Sequence, residues 1–184
     1  LFTRNLAEIR WEADRRPGHY LREARPLAGG GKELFIVTAD REESCFLVFE
    51  QPVDTRGSET STAVRLVQIA YRLTKRLSEE GAISPVVGAK LFVFFQTDKE
   101  THTGVIFQAP YRTTPARDNV PEDDEFNRQL VRQSADLLVE SMQRLKKLKL
   151  LTLEALSALP LDFERFAEES FFFPAYRAVR SALQ

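Results

Sequence analysis

All eight glycines of this chain lie at or before Gly104, and the 80 residues that follow contain none. Glycine supplies the positive-φ conformations that tight turns need, so turn-rich sheet and glycine-free helix are expected to segregate along the chain. The joint is expected at Thr113-Thr114-Pro115-Ala116-Arg117-Asp118-Asn119-Val120-Pro121, two prolines among turn-forming polar residues with little to pack. Residues 1–117 are assigned to an α+β core, and residues 118–184 to a helical region packed on that core or on a partner. The expected fold is a small antiparallel or mixed sheet of two hairpins packed with an amphipathic helix, followed by an all-helical C-terminal third.

Hydrophobic spacing assigns the elements. Leu6, Ile9 and Ala13 recur at helical intervals and predict a short helix over Asn5 to Asp14, stopped by Pro17-Gly18. After a flexible Gly29-Gly30-Gly31, the runs Leu34 to Val37 and Cys45 to Phe49 flank Asp40-Arg41-Glu42-Glu43 and predict a hairpin of two largely buried strands. Leu66, Ile69, Ala70, Leu73 and Leu77 form one stripe, which predicts an amphipathic helix from Ser61 to Gly81, capped by Ser61 or Thr62. Ala89 to Gln96 and Gly104 to Gln108 are read as a second strand pair around a hairpin loop, Thr97 to Thr103.

From Pro121 the spacing of Phe126, Leu130, Leu137, Leu138, Met142, Leu145 and Leu148 predicts a helix about 42 Å long. Acidic residues 123–125 and the lysines at 146, 147 and 149 complement its dipole. Shorter helices are expected near Thr152, near Asp162, and with Pro174 in a first turn.

Composition excludes several functions. No apolar run approaches the roughly 20 residues that span a bilayer. The chain starts at Leu1 without Met or a secretory signal pattern, which predicts a trimmed or processed fragment. The lone Cys45 forms no internal disulfide, so cytoplasm or nucleus is expected. A net charge of −1 removes the global attraction to nucleic acid.

Candidate chemistry is sparse. One cysteine and two histidines in separate segments do not make a zinc site, so no metal or cofactor is expected. His19 and His102 are read as solvated. Gly30-Gly31-Lys32 mimics part of a phosphate loop, but Pro26 stands where the first glycine belongs and Glu33 where the hydroxyl belongs. The carboxylate pairs Glu42-Glu43 and Asp123-Asp124 fall in a turn and at a helix start, and Cys45 opens a Phe-rich strand as a small buried residue. No catalytic residue is assigned.

Two groups are candidates for contact. Arg65, Arg72, Lys75 and Arg76 cluster on the solvent side of the helix expected at 61–81, and Phe171-Phe172-Phe173 is an aromatic run able to serve a core or an interface. Arg15, Arg16, Arg22 and Arg25 near Tyr20 make a second basic cluster. The order of elements resembles that of Roadblock-type dimerisation domains and profilin-like folds, and residues 33–100 resemble a HORMA domain. The likeness is one of element order without a motif and assigns neither family; it implies a sheet-and-helix surface that binds proteins. The expected function is a non-enzymatic protein-interaction module, an adaptor or complex subunit that binds another protein or a second copy of itself. The alternatives are a nucleic-acid-associated protein using the arginine clusters and an enzyme with a site assembled from scattered residues.

Overall fold

A period-two alternation of inward and outward residues, rather than a helical one, organises most of the first 108 residues into one mixed sheet. The computed structural model describes residues 1–2, 7–13, 16–38, 40–53 and 65–184. Its strands are β1 (Glu8–Ala13), β2 (Arg16–Pro26), β3 (Lys32–Val37), β4 (Glu43–Pro52), β5 (Leu66–Leu73), β6 (Ile83–Ser84), β7 (Lys90–Val93), β8 (Phe95–Glu100) and β9 (Ile106–Gln108). They lie in the order β1-β2-β3-β4-β5-β9-β7-β8, with β6 paired to β5. All neighbours are antiparallel except β7 and β9, which run parallel where Phe92 meets Gln108. Among the described residues three α-helices follow: α1 (Glu125–Lys147), α2 (Leu153–Ser157) and α3 (Phe173–Leu183).

This overturns the expected fold class. The sheet has nine strands rather than two hairpins, no helix precedes residue 125 among the described residues apart from the short 3-10 turn Leu77–Glu79, and the last third joins its helices through irregular segments and a second 3-10 turn, Phe163–Arg165.

Within the helix expected at Asn5 to Asp14, residues 8–13 are the strand β1, while Asn5, Leu6 and Asp14 lie outside the described residues; Gly29-Gly30-Gly31 is the turn of the β2–β3 hairpin. Leu27 N–H donates to the Gly31 carbonyl there, with Gly30 and Gly31 at φ 82° and 84°. The helix expected at Ser61 to Gly81 is β5, whose Val67, Ile69, Tyr71 and Leu73 face the main core while Ala70 faces the opposite side. The proposed caps Ser61 and Thr62 lie outside the described residues. An eight-residue run in which nearly every position is apolar satisfies both periods. The β-branched and aromatic side chains at 67, 69 and 71 and the pairing offered by β4 decide for strand.

The hairpin loop expected at Thr97 to Thr103 is largely β8. Its threonines are buried and donate to backbone: Thr97 Oγ1 to the Leu91 carbonyl at 2.8 Å, Thr101 Oγ1 to that of Ala89 at 3.1 Å. The reversal falls instead at Phe94, at φ 63° between paired Val93 and Phe95.

Helix α1 forms as its caps dictate. Asp124 accepts a hydrogen bond from Asn127 N–H, and Arg144, Lys146 and Lys147 occupy the last turn. Its buried Leu130, Val131, Leu137, Leu138, Met142 and Leu145 pack on β4 and β5, and α3 packs on α1. Each such side chain, fully buried, contributes about 1.5–3 kcal/mol of transfer free energy. Two tyrosines tie the layers together: Tyr71 O–H lies 2.6 Å from Ser141 Oγ and Tyr111 O–H 3.3 Å from Ser134 Oγ, all buried. Asn127, wholly buried in the first turn of α1, accepts from Arg112 N–H and donates to the carbonyls of Arg112 and Pro121, which clamps the intervening loop to the helix.

Phe171 and Phe172 complete this core, Phe172 stacking on Phe107 at 5.9 Å between centroids. Deletion of residues 160–184 is therefore expected to expose the α1 stripe and abolish cooperative melting, and Phe172→Ala to cost about 3–5 kcal/mol; an unchanged melt of the truncated chain, followed by circular dichroism, contradicts this packing. Burial pushes the Tyr71 and Tyr111 phenols above their ordinary value of 10.0, an effect their serine partners only partly offset. A folded-state pKa raised in this way stabilises the fold below the unfolded value, and that stabilisation disappears as pH rises. Stability should fall above about pH 10, with tyrosinate absorbance from these two residues appearing together with unfolding, and Tyr71→Phe/Tyr111→Phe should remove that coupled signal.

Candidate functional site

The charged groups scattered along the chain converge on one flank, where residues 99–104 meet residues 157–174. Two depressions lie there, of about 330 and 140 Å3, and a third, of about 370 Å3, lies beside them between Glu122, Arg128 and Arg132 and residues 168–174. His102, Glu100, Arg165 and Phe166 line two of them, and Ser170 and Phe171 line the largest and the smallest. The charges mostly satisfy one another. Glu100 lies 3.4 Å from Lys90, Arg165 pairs with Asp162 at 3.1 Å, and Lys99 pairs with Glu122. Ser170 Oγ is buried without a hydrogen-bond partner among the described residues, so no base is positioned to activate it. No group of three or more His, Cys, Asp or Glu side chains with metal-binding geometry occurs among the described residues.

Cys45 is buried, and that burial, followed by the nearby Glu33 carboxylate, holds its thiol above the ordinary value. A thiol raised in this way is a poor nucleophile at neutral pH. Glu33 itself is spent on structure, accepting from Leu77 N–H at 2.6 Å and so anchoring the Leu77–Glu79 turn. His19 is exposed on β2, and His102 is exposed just beyond β8.

The basic candidates do not share a face, because the helix that would have aligned them is a strand and a turn. Arg65 is exposed at the entrance to β5, and Arg72 is exposed on β5 opposite Phe46 and Ser84. Lys75 is exposed in the following turn. Arg76 folds back over the Phe35 ring at 3.6 Å and reaches Glu23 at 3.3 Å. In the second cluster, Arg22 is half-buried and donates to the Leu1 carbonyl, whereas Arg25 is exposed on the other face of β2. Arg15 and the side chain of Arg16 lie outside what the structure describes. Of the aromatic run, Phe171 and Phe172 are buried in the core and only Phe173 is half-exposed.

Sequence reasoning missed the feature that stands out on the surface, a ridge on the β1–β2 ribbon. Register pairs Ile9 with Tyr20 and Trp11 with Gly18, so Ile9, Trp11 and Tyr20 project from one face. Tyr20 shares that face with Ala24, which pairs with Leu34 of the smaller cluster, so the ridge lies on the side of the sheet away from α1. The three side chains are 48%, 37% and 44% exposed, and Trp11 stacks on Tyr20 with centroids 5.1 Å apart and planes 26° apart. Gly18 makes room for the indole: a Cβ there would lie 2.3 Å from a Trp11 ring atom. The one available signal was the alternation Ile9, Trp11, Ala13, which competes with the helical spacing that includes Leu6.

Trp11 is the sole tryptophan of the chain and reports on this ridge. Gly18→Ala is expected to lift the indole off the ribbon and red-shift its fluorescence, while the melting temperature moves by only a few degrees; unaltered emission contradicts the stacked geometry. No protein-family model, curated protein or solved structure matches this chain, so its function is argued from its own surface.

Proposed function

We propose that the chain is a protein-interaction module whose docking surface is the β1–β2 ribbon. The observation that carries this reading is the stacked, half-exposed Ile9-Trp11-Tyr20 ridge beside a strand edge that no described residue pairs. Stacked aromatics supply contact area at low entropic cost, and Trp and Tyr dominate the binding energy of protein interfaces. An unpaired edge strand adds backbone donors and acceptors that a partner strand satisfies. The paired charges of the flank cavities, the unactivated Ser170 and the raised Cys45 thiol favour binding over catalysis. The dispersal of Arg65, Arg72, Lys75 and Arg76 disfavours a phosphate-tracking surface, which needs cations gathered along one groove. With a lone buried cysteine and no helix among the described residues long and apolar enough to cross a membrane, a cytoplasmic or nuclear site of action fits this role.

A photo-crosslinking amino acid at position 9 or 20 tests the reading in cells, with exposed Gln143 on α1 as the control position. Protein adducts specific to positions 9 and 20, lost in Trp11→Ala, are expected. Adducts to nucleic acid, or none that differ from the control, overturn it.

A further inference from the structure

The two ends of the sheet are finished differently. At one end, β8 is covered by the chain itself: Asp98 N–H donates to the Asp118 carbonyl at 2.7 Å, and Lys99 pairs with Glu122. At the other end, no described residue pairs with the outer edge of β1. A strand edge left open presents a row of amides and carbonyls that template another strand, and stable folds blunt such edges unless they are used.

The orientation of these groups follows from the ladder. Arg22 N–H donates to the Ala7 carbonyl at 2.7 Å, which makes Ala7 and Arg22 a hydrogen-bonded pair. Antiparallel pairs alternate, so Ile9 and Trp11 also bond inward to β2, while the backbone groups of Glu8, Arg10 and Glu12 face outward. The side chains of these outward residues carry an acid-base-acid pattern on the face opposite the ridge. Arg10 is held by Glu8 of its own strand at 2.6 Å through Nε, is 79% exposed, and retains further N–H donors for a second carboxylate.

We infer that the occupant of this edge is a second copy of the chain, paired antiparallel through β1 about a two-fold axis at Trp11. This rests on the ribbon being a docking surface and names what docks there. A two-fold axis perpendicular to a continuous sheet sets a residue opposite itself, so only a few registers exist. Placing Arg10 on the axis sets Arg10 against Arg10 and Glu8 against Glu12, which repels. Placing Trp11 on the axis sets Arg10 of each copy against Glu12 of the other, twice. The same register makes Arg10 and Glu12 of the two copies hydrogen-bonded pairs, using the outward backbone groups. It also brings the two indoles together in a non-hydrogen-bonded pair, where side chains approach most closely, and joins the two ridges into one. Placing Ile9 on the axis offers Arg10 the carboxylate of Glu8 instead, but that group is already engaged and the indoles are left apart.

Sedimentation across the micromolar range tests this with the intact chain. Wild type is expected to form a concentration-dependent dimer. Arg10→Glu and Glu12→Arg, each exposed and each placing like charges opposite one another twice, should weaken it on the order of tenfold or more. Mixing these two variants should restore a heterodimer, because one copy then presents an acid at both positions and the other a base at both. The double variant R10E/E12R should again dimerise with itself. A monomeric wild type, or a dimer indifferent to Arg10→Glu, overturns the inference, as does rescue of Arg10→Glu by Glu8→Arg rather than Glu12→Arg. The wider reading fails separately: a monomeric chain that still gives adducts to another protein at positions 9 and 20 remains an interaction module, whereas one giving none is not.

Discussion

The structure depends on one layer contact, the apolar stripe of α1 laid across β4 and β5. Leu130, Leu137, Leu138 and Leu145 on the helix meet Leu47, Phe49, Ile69 and Tyr71 on the strands in one buried cluster. Everything else is arranged around keeping that contact dry and in register. The hydroxyls of Tyr71 and Tyr111 are paired with Ser141 and Ser134, so the phenols bury their rings without leaving unsatisfied polar groups. Asn127 fixes how the chain enters the helix, and Gln51 Nε2 donates to the Gln133 carbonyl across the same seam. Remove the helix and β5, whose Val67, Ile69, Tyr71 and Leu73 face it, has no reason to sit at the centre of the sheet.

The opposite face is treated more sparingly. Phe2, Leu34, Val48, Ala70 and Ile106 form a small second cluster, and beside it Glu50 accepts from Lys32 at 2.6 Å and from Gln68 at 2.8 Å. Cross-strand polar pairing of this kind holds register at modest energy, because Lys32 and Glu50 remain partly in water while the buried Gln68 is satisfied by its bond to Glu50. The apolar character of this face then resumes as the Trp11-Tyr20 ridge, on the two strands at the β1 end of the sheet. On the proposed reading, interaction and stability are separated: residues of the ridge carry little of the core, and the residues of the core are buried beneath the helices.

Two candidates exchanged roles between sequence and structure for the same reason. Phe171 and Phe172 looked available because three consecutive aromatics exceed what one helix face holds. The approach to α3 is irregular, and it turns both rings inward toward Tyr111 and Phe107. Trp11 drew no attention because its segment was read as a helix, yet on a strand it projects beside Tyr20 over a bare glycine. Likewise Arg72 and Arg76, one turn apart on a helix, are separated when the chain is extended and then reversed.

By itself the sequence determined the elements whose forces are local. The caps Asp124, Thr152 and Asp162 each accept from a backbone N–H within three residues, and Pro174 sits in the first turn of α3, where its missing donor costs nothing. The pairing of Leu34–Val37 with Cys45–Phe49 was legible too, since a short apolar run on each side of a polar turn leaves few alternatives. What only the tertiary structure decided were the segments whose residues satisfy two periods at once. Leu66–Leu73 fits a helix stripe as well as a strand face, and the choice falls to β4 and β9, from distant parts of the chain, which supply the hydrogen bonds. The β1–β2 ridge belongs to this second class, because a side chain becomes a surface feature only when a partner strand fixes which way it points.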